Sequence, residues 1–231
     1  MHDDAVKIAV LSGKGGTGKT LISVNLAAAA ERAVYLDCDV EEPNGHLFFR
    51  PEHVKETGVS VKLPVIHENR CTGCRICVNF CKFHALAFIK DKPFLFEEAC
   101  RSCGGCALLC PNGAITETAR RIGAIRQGVS GSVDVISGIL NPGEVSGMPI
   151  LTKLLCRADA VGNRPVLLDC PPGSACAAIE CMRSADFCVL AAEPTVFGAH
   201  NLEMVYQLTR LFEMPCGVVL NKCMDGENPS E

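Results

Sequence analysis

The chain has 231 residues, with 22 Lys and Arg against 26 Asp and Glu, a net charge of −4, and 16 cysteines. This length can bury the core of one medium or two small domains, and with no basic cluster beyond Arg120-Arg121 the charge argues against a nucleic-acid partner. An acidic start (Met1-His2-Asp3-Asp4) and the lack of any apolar run near the ~18 residues of a membrane span predict a soluble, cytoplasmic protein with no membrane partner, in which cysteines serve metals rather than disulfides.

In chain order, Val6 to Leu11 reads as a buried strand and Leu21 to Ala30 as a helix. Between them Gly13 to Thr20 satisfies G-x-x-x-x-G-K-[ST]. In such a loop the amides of Gly13, Lys14, Gly15, Gly16, Thr17 and Gly18 wrap phosphate oxygens, Lys19 spans the outer phosphates and the Thr20 hydroxyl holds Mg²⁺. A glycine-rich turn without ligand is the alternative, and the strand before and helix after it argue against that. Ala33 to Asp37 is a second strand ending in Asp37-Cys38-Asp39. Two carboxylates two residues apart on a continuing strand share a side, toward one Mg²⁺ and water site; a solvated strand end is the plainer reading. Beyond Val40 the chain reads as irregular until Val59, Val61, Leu63 and Val65 alternate as a strand.

Two cysteine runs follow: Cys71-x2-Cys74-x2-Cys77-x3-Cys81 and Cys100-x2-Cys103-x2-Cys106-x3-Cys110-Pro111. Both have the bacterial ferredoxin spacing, in which three close thiolates hold one cubane and the fourth ligates the other. This rule assigns Cys71, Cys74, Cys77 and Cys110 to one [4Fe–4S] cluster, and Cys100, Cys103, Cys106 and Cys81 to the second. Zinc is the alternative, though a third cysteine two residues on is redundant for it. Lys82, where the ferredoxin run has Pro, departs from the pattern without removing a ligand. Ala85 to Phe96 reads as a hairpin turning at Asp91 to Pro93.

After Ala119 strands and helices alternate again: a strand within Ser132 to Leu140, a helix over Pro149 to Ala160, and an apolar strand Pro165 to Asp169. Asp169-Cys170-Pro171-Pro172-Gly173 reads as a Mg²⁺-organising aspartate with a loop that senses the γ-phosphate. A helix over Ala175 to Ser184, a strand Phe187 to Ala192, a helix His200 to Phe212 and a strand Cys216 to Leu220 complete the reading, with Asn221-Lys222 at the last strand's end.

Lys14 followed by Gly-Gly-Thr-Gly-Lys-Thr resembles the deviant Walker A loop of the MinD/ParA/nitrogenase-iron-protein class. The cysteine block after Asp37 to Leu47 (DCDVEEPNGHL), with Glu193 to His200, resembles MinD-superfamily ATPases carrying an inserted ferredoxin domain. The resemblance implies an α/β P-loop NTPase with a mostly parallel sheet and helices on both faces, residues 1–58 and 119–231. An inserted small α+β bacterial-ferredoxin-like domain would occupy 59–118. It further implies a nucleotide-dependent homodimer in which Lys14 reaches the partner's nucleotide. Asp37 and Asp39 match the first switch, Asp169 to Gly173 the second, and Asn221 the adenine-reading asparagine. Family members usually continue beyond this region, so an incomplete adenine pocket is expected.

The expected cofactors are ATP, Mg²⁺ and two [4Fe–4S] clusters. Lys14, Lys19, Asp39 and Asp169 are the catalytic candidates: Asp39 orients the attacking water, Lys14 neutralises transition-state charge, and Thr20, Asp37 and Asp169 position Mg²⁺. Three functions compete at this point. They are nucleotide-coupled electron transfer to an unidentified redox protein, a cluster or metal carrier serving an acceptor protein, and a positioning ATPase with structural or sensory clusters. Cys170 and Cys176 flank the second switch and, by analogy with the nitrogenase iron protein, are candidates to bridge a further cluster.

Overall fold

The computed structural model describes residues 6–158 and 161–224. The last two residues of the helix expected over Pro149 to Ala160 fall outside this range. Two compact units emerge: Met1–Thr57 with Ala124–Leu140 and Gly147–Glu231, and Gly58–Gly123 with Asn141–Ser146.

The first unit is built on strands β1 (Lys7–Leu11), β2 (Val34–Asp37), β7 (Val133–Leu140), β8 (Val166–Asp169), β9 (Phe187–Ala192) and β10 (Cys216–Leu220). Two long strands, β3 (Glu52–Ile66) and β6 (Ile115–Ser130), belong partly to each unit. The sheet order is β10-β9-β1-β8-β2-β7-β6-β3, and every pairing from β10 through to β7 is parallel. Parallel neighbours need crossover connections, which α1 (Lys19–Ala29), α5 (Met148–Ala158), α6 (Cys176–Arg183) and α7 (Val196–Leu211) supply; a short α2 (Gly45–Phe49) follows β2. Strands of this kind are covered on both faces and so read as unbroken apolar runs, and β2 and β8 are buried at every position. One core cluster joins Val24 and Ala27 of α1 to Tyr35, Val135 and Leu167 of the sheet, and Ile150, Leu151 and Leu154 of α5 are fully buried.

The structure gives α1 from Lys19, two residues earlier than Leu21, and α7 from Val196, four before His200, because Thr195 caps it by accepting from the Gly198 N–H at 2.9 Å. Absent from the sequence reading are α2, the first half of β3, the short helices within the two cysteine runs and the whole of β6 (Ile115–Ser130). Thr116 to Ala119 of β6 are exposed at each position, so no period-2 apolar pattern marks that stretch.

In the second unit, β4 (Leu86–Ile89) and β5 (Lys92–Leu95) pair antiparallel. The hairpin turns at Lys90-Asp91, both at positive φ (49° and 62°), rather than at Asp91 to Pro93; Pro93 lies within β5, opposite Phe88. Helices α3 (Ile76–Phe80) and α4 (Gly105–Leu108) each carry the third cysteine of a run.

Candidate nucleotide and metal sites

The parallel sheet sets the first site. In register Val10 faces Asp169 and Asp169 faces Asp37, so the loop after β1 and the two carboxylates emerge together at the carboxyl ends of adjacent strands. This is where open α/β sheets bind ligands. Gly16 (φ 79°) and Gly18 (φ 95°) hold the left-handed turns of the loop. A Cβ on Gly18 would also lie 2.1 Å from Asn221 Nδ2, and one on Gly13 would lie 2.2 Å from the Asn201 carbonyl oxygen, so both glycines permit close approach as well. Gly18 caps α1 with no side-chain bond, which leaves the first amides of that helix available to an anion. Gly15 has nothing near its missing Cβ, and Lys19 is buried.

Three buried polar atoms here lack a hydrogen-bond partner: Thr17 Oγ1, Asp37 Oδ1 and Asp169 Oδ1. The second oxygen of each carboxylate is occupied. Asp37 Oδ2 accepts from the Gly45 N–H at 2.8 Å, and Asp169 Oδ2 accepts from the Tyr35 hydroxyl at 2.7 Å. Burial, reinforced by the charge of Asp169, raises the Asp37 carboxyl to about 8. Burial also raises Asp169, with Tyr35, Thr20 and Lys19 acting in the opposite sense, and raises Asp39 to about 6 against the pull of Lys19. Asp39 lies beyond the end of β2 and is half-buried, so it does not extend the strand with Asp37. Buried acids that repel one another and keep unsatisfied oxygens suit a hard divalent cation, which adds the missing positive charge. The residues present therefore fit Mg²⁺. Among the described residues no three His, Cys, Asp or Glu side chains converge on a single ion unaided, so phosphate oxygens, water and the Thr20 hydroxyl would complete such a shell.

Lys14 and Asn221 have partners that the sequence did not indicate. Lys14 Nζ donates to Glu193 Oε2 at 2.6 Å, and Lys222 Nζ donates to Glu193 Oε1 at 2.6 Å and to the Gly16 carbonyl at 2.6 Å. These bonds, that from Lys14 foremost, pull the Glu193 carboxyl below its ordinary range. Asn221 Nδ2 donates to the Thr17 carbonyl at 2.8 Å, which ties the end of β10 to the loop. The Gly173 N–H donates to the Ser12 carbonyl at 2.9 Å, joining the loop after β8 to the same place. Cys170 is fully buried, whereas Cys176 is exposed, so the two do not form a shared surface pair.

The second unit sorts its cysteines. Cys71, Cys74, Cys77 and Cys110 line one cavity together with Phe88, Pro93 and Ile115. Cys81, Cys100, Cys103 and Cys106 line another with Phe80, Leu86 and Leu95. The two runs share a backbone course, with positive φ at Gly73 and Arg75 in the first and at Ser102 and Gly104 in the second, two residues after the first cysteine and one after the second. Backbone N–H groups of Ala114 and Ser102 donate to the sulfurs of Cys110 (3.2 Å) and Cys100 (3.5 Å). Burial raises the thiols of Cys77 and of Cys106, the latter to about 11, so their thiolates need a compensating positive charge. The donor set in each cavity is all sulfur, in a mostly apolar lining that also holds Arg75 in the first and Lys82, Arg101 and Glu117 in the second, which fits a soft iron–sulfur centre.

Comparison with known proteins gives the setting. The family model described as the CobQ/CobB/MinD/ParA nucleotide binding domain matches residues 8–229. Two uncharacterized proteins of Methanocaldococcus jannaschii are similar along the chain, one 31% identical over 94% of this chain and 78% of its own length, the other 28% identical over 93% and 79%. The septum site-determining protein MinD of Pyrococcus horikoshii, solved with Mg-ADP, superposes with a TM-score of 0.55 at 16% identity, covering 97% of this chain and 73% of that one, a likeness of fold. Over a shorter stretch of 42 residues, 16% of this chain and 14% of the relative, an iron–sulfur cluster carrier protein of the same organism is 55% identical. Among the described residues no helix is long and apolar enough to cross a membrane. With the match running from the first strand to beyond the last, and with the phosphate loop and its two aspartates at the ends of a parallel sheet, this chain belongs to the CobQ/CobB/MinD/ParA nucleotide-binding family.

Proposed function

We propose that the chain is a Mg²⁺-dependent ATPase, active as a nucleotide-bridged homodimer, that couples its nucleotide state to electron transfer through two [4Fe–4S] clusters in a ferredoxin-like insertion. The observation that carries the reading is the division of eight cysteines between two cavities, each made of three cysteines from one run and the fourth from the other. This crossed grouping is the ferredoxin arrangement, in which Cys71, Cys74, Cys77 and Cys110 would hold one cluster and Cys81, Cys100, Cys103 and Cys106 the other. When bound, such clusters supply one-electron transfer at a potential set by burial and by hydrogen bonds to sulfur.

At the nucleotide site the amides of Gly13 to Thr20 bind phosphate and Lys19 neutralises it. Thr20, Asp37 and Asp169 would hold Mg²⁺, which when bound neutralises charge on the phosphates. Asp39 orients the attacking water, and Lys14, once free of Glu193, reaches the nucleotide of a second copy. Asn221 serves this site by bracing the loop through Thr17, in addition to the adenine contact its position suggests. The reading places the protein in the cytoplasm with a redox protein as partner.

The test follows the clusters by EPR through stepwise reduction, with and without ATP and Mg²⁺. A nucleotide-dependent change in spectrum or midpoint supports coupling. Unchanged spectra, together with rapid cluster loss to an apo-acceptor protein, would favour the carrier reading, which the short likeness to iron–sulfur cluster carrier proteins supports.

A further inference from the structure

The nucleotide-binding unit has a cavity of about 400 Å³, and no phosphate-loop residue lines it. This volume lies within the range of small-molecule sites, roughly 300–1,000 Å³. Val54 of β3 and Val135 and Ile139 of β7 give it an apolar wall, and Ser137 lies between the latter two. Its charged lining is of one sign, Arg50 at the end of α2 and Arg126 on β6, with the imidazole of His46 on α2 beside them. Arg126 Nε is already engaged by Glu56 at 2.8 Å. Neither Arg50 nor His46 has a side-chain hydrogen bond or ion pair among the described residues. An apolar wall beside an uncompensated guanidinium and an imidazole suits a ligand with the opposite pattern, a hydrocarbon body ending in an anion.

We propose that this cavity binds a small organic acid, with its carboxylate held by Arg50 and His46 and its apolar body against Val54, Val135 and Ile139. A planar carboxylate can take two parallel bonds from the planar guanidinium, which fixes orientation as well as charge. The cavity also adjoins the Mg²⁺ carboxylates through the backbone. Gly45, the neighbour of His46, donates its N–H to Asp37 Oδ2 at 2.8 Å, and Ser137 is the register partner of Asp37 across β2 and β7. A ligand that shifts α2 therefore changes the support of Asp37, and by linkage nucleotide and organic acid alter each other's affinity by the same factor. This coupling rests on the proposed nucleotide function; the binding itself does not.

The experiment uses the full chain, with 4-fluorobenzoate as probe and 4-fluorobenzyl alcohol as its neutral counterpart, followed by fluorine NMR. The benzoate should bind saturably and the alcohol roughly tenfold more weakly, as expected for loss of a charge-assisted pair. Arg50→Gln should weaken the benzoate by a similar factor, and Val54→Trp, a filling change at a half-exposed wall position, should abolish binding in a chain shown by circular dichroism to be folded. Equal binding of acid and alcohol, insensitivity to Arg50→Gln, or no saturable binding of the acid overturns the proposal. Benzoate binding that leaves Mg-ADP affinity unchanged overturns the coupling alone, whereas a chain that binds benzoate but no nucleotide counts against the proposed function and not against the cavity.

Discussion

Glu193 holds the lysine that the proposed mechanism needs elsewhere. Its carboxylate receives two ammonium groups at 2.6 Å, from Lys14 and Lys222, while its side chain is 12% exposed and those of the lysines 35% and 56%. Glu193→Gln leaves one carbonyl oxygen and puts an NH₂ donor where the second acceptor stood. An amide donor cannot face an ammonium, so at least one lysine is released. Buried hydrogen bonds to charged groups contribute about 1.5–3 kcal/mol, but solvent around the two lysines brings each pair down toward the upper end of surface ion pairs, about 1 kcal/mol. Where the released lysine is Lys14, Lys222 keeping its bond to the Gly16 carbonyl, Lys14 is available to a second copy roughly fivefold more often. The midpoint of ATPase activity against protein concentration should then fall by roughly the same factor, with a matching rise in the dimer fraction by sedimentation in Mg-ATP. If the variant dimerises and hydrolyses as the parent does, Glu193 does not restrain Lys14. If nucleotide affinity collapses instead, the carboxylate serves chiefly to brace the loop through Lys222 and Gly16.

Three further outcomes are expected. Lys14→Ala should keep nucleotide affinity, measured by calorimetry, while losing stimulated turnover, because Lys19 and the loop amides remain; full turnover would refute action across a dimer. The folded-state pKa of Asp37 lies at about 8, above the ordinary carboxylate value of about 3.9, so the folded chain binds the proton more tightly than the unfolded one. Nucleotide-free stability should therefore fall as pH rises from about 4 to about 8, by at most about 1.4 kcal/mol per unit from this group, and level off above. Asp37→Asn should flatten the slope in thermal melts, as should Mg²⁺ with nucleotide, and a slope of opposite sign would refute the assignment. Cys81→Ser should disturb the same EPR signal as Cys106→Ser and spare the one lost in Cys74→Ser, although Cys81 and Cys74 share a run; disturbance of the Cys74 signal would refute the crossed grouping.

The central strands were legible because a strand buried on both faces must be apolar throughout, and Val34 to Asp37 and Val166 to Asp169 end abruptly in an acid. The phosphate loop was legible for a related reason, since positive φ at Gly16 and Gly18 leaves little choice of residue. β6 escaped because Thr116 to Ala119 are exposed without alternation and its buried stretch is a single short block, Ile122 to Ile125, followed by exposed Arg126 and Gln127. The partners of Lys14 and Asp169 escaped for a topological reason. Glu193 follows β9 and Tyr35 lies within β2, each far along the chain from what it binds, and only the parallel register brings them together. A tyrosine in an apolar strand looks like core, and this one is core, with its ring 5.0 Å from that of Phe49 while its hydroxyl reaches Asp169.

Tyr35 thereby becomes an optical and magnetic reporter supplied by the protein itself. The chain contains no tryptophan and two tyrosines, the other being Tyr206 on α7. Ring-labelled tyrosine would give two sets of resonances, and the set from Tyr35 is bonded to Asp169 and in contact with α2 through Phe49. A cation at the proposed Mg²⁺ site and displacement of α2 would each move that signal, with no substitution in the chain.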